Sequence, residues 1–257
     1  MSLAFVKYHG TGNDFIMIDD RVQNFEHRYA HRITSLCDRH TGIGADGLIL
    51  LQNSDDYDFK MVYYNSDGAL GSMCGNGARC IVHWAKELGI IKEKTDFEAP
   101  DGLHQAWFDK DEVVLAMADV RAIEANAYGI FLDTGSPHQV CIEKRLEGLD
   151  VTGKGRTLRY DVFGKEGANI NFVAPAKDGG FALRTYERGV EAETLSCGTG
   201  ATAAALAMHH LSLSSGPIVV LKTLGGNLKV SFDFSDGLYS NITLTGSATA
   251  VFNGLWL

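Results

Sequence analysis

The chain alternates short apolar runs with turn-forming residues, and a period of two dominates it. This patterning predicts strands at 3–8, 14–19, 46–52, 59–64, 102–108, 112–117, 127–133, 138–143, 169–174, 180–187, 217–223, 227–234, 237–243 and 247–252. Three segments carry helical periodicity instead, at 28–39, 76–89 and 198–213. Hairpin turns are expected at Lys177-Asp178-Gly179-Gly180, Gly225-Gly226-Asn227 and Ser235-Asp236-Gly237, each between β-rich apolar runs. The third helix is crowded with Ala201, Ala203, Ala204, Ala205 and Ala207. The second carries Ile81, Val82, Trp84, Ala85 and Leu88. A helix that is apolar on most sides is buried, so a sheet wrapped around each helix is expected.

The two helices open on the same pattern. Cys74-Gly75-Asn76-Gly77-Ala78 recurs as Cys197-Gly198-Thr199-Gly200-Ala201, 123 residues later and near half the chain length. Each copy follows a polar loop and precedes paired strands, which points to a duplication. The change of half falls near 118–126, where Ala118-Asp119-Val120-Arg121-Ala122 reads as a connector. The expected fold is α+β, with two pseudo-symmetric domains, each a mostly antiparallel curled sheet around a central helix. The first would span 1–118, with a C-terminal tail of about 248–257 returning to it. The second would span 119–247.

Composition narrows the function. Apolar residues make up 45% and charged residues 21% of 257 residues, an ordinary globular balance. With 29 Gly and only 4 Pro, tight turns and backbone-lined sites are expected. The net charge of −9, without a Lys/Arg cluster, argues against a nucleic-acid partner. No run reaches the ~20 apolar residues of a membrane span, and Met1–Lys7 lacks the form of a signal peptide. Five cysteines without framework spacing fit a reduced, cytoplasmic protein.

Several glycine motifs are decoys. Gly42-Ile43-Gly44-Ala45-Asp46-Gly47 fits a dinucleotide fingerprint, but it follows a helix and precedes a strand, the reverse of the required order. Gly148 to Gly155 approaches a phosphate loop, with Gly155 where Ser or Thr is needed. No zinc-type spacing occurs, and no metal is expected. Cys37 with His40 could pair as nucleophile and base, but a buried cysteine on an ordinary helix is the better account; Cys141 lies in an apolar strand and reads as core.

Cys74 and Cys197 differ, because each precedes a helix. The positive end of a helix favours thiolate, and its N–H groups can hold a carboxylate. Two matched thiols, one per half, suit stereoinversion at one carbon: one removes a proton and the other delivers one to the opposite face.

Ordered blocks along nearly the whole chain then carry a resemblance. They are His9-Gly10-Thr11-Gly12-Asn13-Asp14-Phe15, Gly42 to Gly47, Tyr64-Asn65-Ser66-Asp67-Gly68 and Met73 to Cys80. Further along come Gly135-Ser136-Pro137-His138, Asn169 to Val173, Tyr186-Glu187-Arg188-Gly189-Val190 and Glu193 to Ala201. The chain resembles the diaminopimelate epimerase family. The resemblance implies an active site in a cleft between two domains, catalytic Cys74 and Cys197, and no cofactor. It implies substrate contacts at Asn13, Asn65, Asn169, Glu187 and Arg188. The carboxylate cradle falls on Gly75, Asn76, Gly198 and Thr199, and His138 and Glu187 line the thiols. The implied partner is a small amino-acid substrate, 2,6-diaminopimelate, and the implied assembly a homodimer. Ser136 departs from the family's common Asn before Pro-His, which bears on the distal end of the substrate.

Other readings stay open from the residues alone. One is another cofactor-independent isomerase of this architecture, like proline racemase or the phenazine-pathway isomerase. Others are a non-catalytic ligand-binding protein, or a pyridoxal-phosphate racemase using Lys86, Lys92, Lys165 or Lys222.

Overall fold

The computed structural model describes residues 2–23, 25, 30–71 and 73–257. The chain forms two compact units, Met1–Leu115 with Gly246–Leu257, and Ala116–Thr245. The first unit holds β1 (Leu3–Gly10), β2 (Asn13–Asp19), α1 (Ala30–Cys37), β3 (Gly47–Gln52), β4 (Phe59–Asn65), α2 (Gly75–Glu87), β5 (Lys94–Ala99), β6 (Gly102–Asp109) and β7 (Glu112–Ala116). The second holds β8 (Ile123–Asn126), β9 (Gly129–Asp133), β10 (Pro137–Ile142), α3 (Val151–Thr157), a π-helical turn (Leu158–Val162), β11 (Asn169–Pro175), β12 (Phe181–Glu187), β13 (Ala192–Thr194), α4 (Gly198–His210), β14 (Ile218–Thr223), β15 (Gly226–Ser235) and β16 (Leu238–Gly246). The last strand, β17 (Thr249–Trp256), pairs antiparallel with β1 and so belongs to the first unit.

The duplication is visible in the order of strand pairings. In the first unit β17–β1 and β1–β2 are antiparallel, β2–β3 parallel, β3–β4 antiparallel, β4–β5 parallel, and β5–β6 and β6–β7 antiparallel. In the second, β8–β9 and β9–β10 are antiparallel, β10–β11 parallel, β11–β12 antiparallel, β12–β14 parallel and β14–β15 antiparallel. Side chains then bridge β15 to β16, through Ser231–Thr243 at 2.6 Å and Asn241–Asp233 at 2.8 Å. A parallel pair needs a crossover, and in each unit the crossover to the second parallel partner carries the central helix.

Those helices sit against their sheets. α2 packs on β1, β2, β3 and β4, and α4 on β9, β10, β11, β12, β14 and β15. Ala201, Ala203, Ala204, Ala205 and Ala207 are all fully buried. Small side chains on every face let the sheet close tightly around α4. Around it Val140, Leu183, Leu221, Val230 and Leu244 complete one core. The architecture is α+β, mostly antiparallel, in two pseudo-symmetric halves. Among the described residues no helix is long and apolar enough to cross a membrane.

Some elements depart from the sequence expectation. The first helix starts at Ala30, the residues 28 and 29 of the expected span lying outside those described. The second and third helices end at Glu87 and His210, short of 89 and 213. β5 was not expected; its buried Thr95, Phe97 and Ala99 do alternate, but charged neighbours mask the pattern. The expected connector at 118–126 ends in β8, and the expected strand at 127–133 begins only at Gly129, after the turn that joins the two. β13, α3 and the π-helical turn were also not foreseen. The segment that approaches a phosphate loop is α3, capped by Asp150, whose side chain accepts from Gly153 N. Gly155 is there because a Cβ would lie 2.4 Å from that of Tyr186.

The Gly42–Gly47 segment is likewise a helix stop. The N–H groups of Ile43 and Gly44 donate to Leu36 O, and that of Ala45 to Cys37 O, capping the carbonyl end of α1. The three foreseen hairpin turns join β11–β12, β14–β15 and β15–β16.

Candidate active site

Cys74 and Cys197 occupy the same position in their units, each the N-cap of the central helix with extended backbone. Their φ, ψ angles are −113°, 116° and −128°, 119°. The helical ladders begin at Ala78 N to Cys74 O and Ala201 N to Cys197 O. The N–H groups of Gly75 and Asn76, and of Gly198 and Thr199, therefore stand outside the ladder at the positive helix ends.

The Cys74 half is completed by the β1–β2 hairpin. Its two turn residues, Thr11 (φ 49°) and Gly12 (φ 86°), take the left-handed conformation of a tight hairpin. This turn delivers Asn13 to the helix end. Asn13 Oδ1 accepts from Cys74 Sγ at 3.6 Å and from Asn76 Nδ2 at 3.1 Å. Asn13 Nδ2 donates to Asp46 Oδ2 at 2.8 Å. Beneath them Arg79 is fully buried. Its Nη2 donates to Asn76 Oδ1 at 2.9 Å and Thr11 Oγ1 at 3.2 Å, and its Nη1 to Gly75 O at 3.3 Å.

In the second unit Cys197 Sγ accepts from Gly200 N at 3.4 Å and lies 3.5 Å from Thr199 Oγ1. Thr134 Oγ1 donates to Thr199 O at 2.9 Å, tying the helix start to the loop after β9. Behind Gly200 stands Asn171, which has no exposed surface. Its Nδ2 donates to Gln139 O at 3.2 Å and reaches His138 Nδ1 at 3.1 Å, and its Oδ1 accepts from Thr185 Oγ1 at 3.0 Å. That carboxamide is thus fixed with its nitrogen towards His138, so Nδ1 accepts and Nε2 carries the proton. His138 is fully buried, and burial first, then the charge of Arg188, pushes its pKa down to about 3. Its neutral Nε2–H has no hydrogen-bond partner among the described residues. A buried donor of this kind can serve an anion.

The remaining expected residues separate into those spent on internal bonds and those at the surface. Asn169 donates to Ser136 Oγ at 3.0 Å and Pro137 O at 3.3 Å, and accepts from Arg188 N at 2.9 Å. It braces the Arg188 backbone, and Ser136 bonds it directly. The Arg188 guanidinium donates to Glu166 O at 3.0 Å in an exposed setting. Glu187 accepts from Thr194 Oγ1 at 2.7 Å. Asn65, exposed at the end of β4, accepts from Tyr63 OH at 2.9 Å.

Burial pushes the Cys37 and Cys141 thiols up to about 12, and Cys80 further up. Such thiols are poor nucleophiles, which removes the Cys37–His40 pair. No group of three or more metal-ligating side chains occurs among the described residues. Arg79, Asp46, Asn171 and Thr134 were not singled out from sequence. Asn171 had a signal: it lies two residues from Asn169 on β11 and so on the same face. Arg79 had one too, as a charge near the start of a helix whose other charges, Lys86 and Glu87, fall in its last turn.

The family model for diaminopimelate epimerase matches residues 5–123 and 130–251. A diaminopimelate epimerase of Flavobacterium psychrophilum is 51% identical over 252 residues, covering 97% of this chain and 98% of that protein. One of Aquifex aeolicus is 39% identical, covering 98% and 97%. Among solved structures, a phenazine biosynthesis protein of the PhzF family from Bacillus anthracis has a TM-score of 0.82 at 12% identity, covering 100% of this chain and 99% of that one. A hydroxyproline epimerase from Agrobacterium vitis has 0.67 at 17%, covering 99% and 91%. At these identities the structures speak for the fold alone.

Proposed function

The chain belongs to the diaminopimelate epimerase family and is an isomerase, and we propose that it interconverts LL- and meso-2,6-diaminopimelate without a cofactor, through one thiolate and one thiol. The observation that carries this reading is the matched pair of caps, Cys74 and Cys197, with the same backbone conformation at the starts of two buried helices. A thiolate removes the α-proton, and the thiol of the other cysteine delivers a proton to the opposite face. The sulfurs exchange roles with each turnover, so the reverse reaction uses the same groups. The substrate α-carboxylate is held on the N–H groups of Gly75-Asn76 and Gly198-Thr199, where helix-end charge stabilises the developing negative charge. Arg188, braced by Asn169, grips the distal carboxylate through its planar fork.

Turnover of the LL-isomer in heavy water tests the reading. Early product should carry solvent deuterium while remaining substrate stays protiated, and Cys74→Ala and Cys197→Ala should each abolish epimerisation. Equal early labelling of substrate and product would refute separate bases.

A further inference from the structure

A chain of hydrogen bonds under Cys74 runs in one direction between two ions. Arg79 Nη2 donates to Asn76 Oδ1 at 2.9 Å, Asn76 Nδ2 to Asn13 Oδ1 at 3.1 Å, and Asn13 Nδ2 to Asp46 Oδ2 at 2.8 Å. A guanidinium only donates and a carboxylate only accepts, so the two ends leave each carboxamide a single orientation. Asp46 is held in turn by Arg39, whose Nη2 donates to Oδ1 at 2.7 Å. At the other end Gly10 has no Cβ because one would lie 2.8 Å from Asn76 O and 3.3 Å from Arg79 Nη2. Thr11, a β-branched residue held at φ 49°, gives its hydroxyl oxygen to the same guanidinium. Positive φ in such a residue is strain that the surroundings must enforce.

The duplicated half is built otherwise. Five residues after Cys197 the counterpart of Arg79 is Thr202, buried and neutral, donating to Gly198 O at 3.1 Å. There the sulfur accepts a backbone N–H from Gly200, whereas Cys74 Sγ donates to the fixed oxygen of Asn13. A donor aimed at sulfur favours thiolate, and a carbonyl oxygen aimed at it favours thiol.

We propose that Arg79 and Asp46 are positioning residues that lock Asn13 with its oxygen against Cys74, so that in the ligand-free enzyme Cys74 rests as the thiol and Cys197 as the thiolate. This rests on the two-thiol reading above. Among the described residues, the charged and titratable groups facing this bond chain and Cys74 include Arg79 and Cys80 on α2, His9 and Lys7 on β1, Asp14 on β2, Glu112 on β7, and Asp46 and Arg39 on the loop after α1. Arg79 alone would favour a Cys74 thiolate, and Asp46 opposes it from the other end of the same bond chain. With these two ions opposed, the Asn13 carbonyl oxygen in contact with the sulfur weighs towards the thiol.

The test is the rate of iodoacetamide alkylation at each cysteine of the free full-length protein, read by peptide mass mapping from pH 5.5 to 9. At pH 7 Cys197 should be labelled roughly tenfold faster than Cys74. This is the reverse of what exposure dictates, since Cys197 is only 9% exposed and Cys74 half-buried. Asp46→Asn should move the Cys74 profile to lower pH and leave that of Cys197 in place. Asn13→Ala removes the acceptor while keeping the Asp46 charge, and it should move Cys74 the same way. Faster labelling of Cys74 in the wild type overturns the assignment. A shift in Asp46→Asn without one in Asn13→Ala overturns the role of Asn13, leaving Asp46 acting by bare charge. If Asp46→Asn fails to fold, an unmoved Cys74 profile in Asn13→Ala is still decisive against the proposal. Epimerisation by Cys74→Ser and Cys197→Ser is measured in parallel. Activity in either variant sinks the two-thiol reading itself, whereas inactivity in both with the labelling order reversed sinks only this assignment.

Discussion

Gly77 and Gly200 hold the same place in the duplicated motif, yet an added methyl meets different neighbours in the two halves. At Gly200 a Cβ would lie 2.5 Å from Asn171 Oδ1, 3.2 Å from Cys197 Cβ and 3.3 Å from Cys197 Sγ. Asn171 cannot retreat, because Thr185, His138 and Gln139 hold both ends of its carboxamide in a fully buried site. Overpacking costs about 1–3 kcal/mol, and a buried polar group forced off its partner costs about 1–3 kcal/mol. The helix-propensity gain of Ala over Gly offsets about 1 kcal/mol. Gly200→Ala should therefore destabilise by about 1–5 kcal/mol, centred near 3, which is several degrees in melting temperature for a chain of this size. At Gly77 the nearest atoms are Ile49 Cδ1 at 2.8 Å and Met61 Cε at 3.2 Å, both ends of flexible side chains. They can turn aside, so Gly77→Ala should stay within about 1 kcal/mol of the wild type after the same propensity gain. Matched guanidinium and thermal denaturation of the two variants would measure the difference. Equal stabilities, or a Gly200→Ala protein as stable as the wild type, would refute the view that a pinned Asn171 dictates this glycine.

Two further outcomes are expected. His138 is neutral in the folded protein, its pKa pushed from 6.5 to about 3 chiefly by burial, so the unfolded chain binds a proton in that range and the folded one does not. Its contribution is complete above pH 6.5 and is lost as pH falls towards about 3; His138→Gln should flatten the stability–pH slope there, and an unchanged slope would count against it. Cys37 and Cys141, with thiols raised to about 12, should resist iodoacetamide at pH 8 in the folded protein and react in guanidinium; rapid native labelling of either would contradict the burial that raises them.

How much was legible in the sequence divides along the range of the forces involved. The duplicated Cys-Gly motif, the Ala-rich buried helix and the hairpins at Gly179, Gly226 and Gly237 follow from local chemistry. Periodicity, capping position and the freedom of glycine act over a few residues, so they are written in consecutive letters. β5 escaped because its charges obscure a weak alternation, and α3 because its two glycines read as loop while Asp150 and the packing of Tyr186 on Gly155 stabilise a helix. The candidate residues were recognisable as types and blocks, but not their bonds. That Asn169 spends its carboxamide on Ser136 and on the Arg188 backbone depends on β10, β11 and β12 lying side by side. The same holds for Arg79. An arginine near the start of α2 gave no hint that Thr11, 68 residues away, and Asn76 would accept its hydrogen bonds, or that Asn13 would then face Cys74 across 61 residues. Only the closing of the sheet on the helix brings such groups within hydrogen-bond range. Once they are out of water, the cost of an unmatched donor or acceptor leaves them one arrangement.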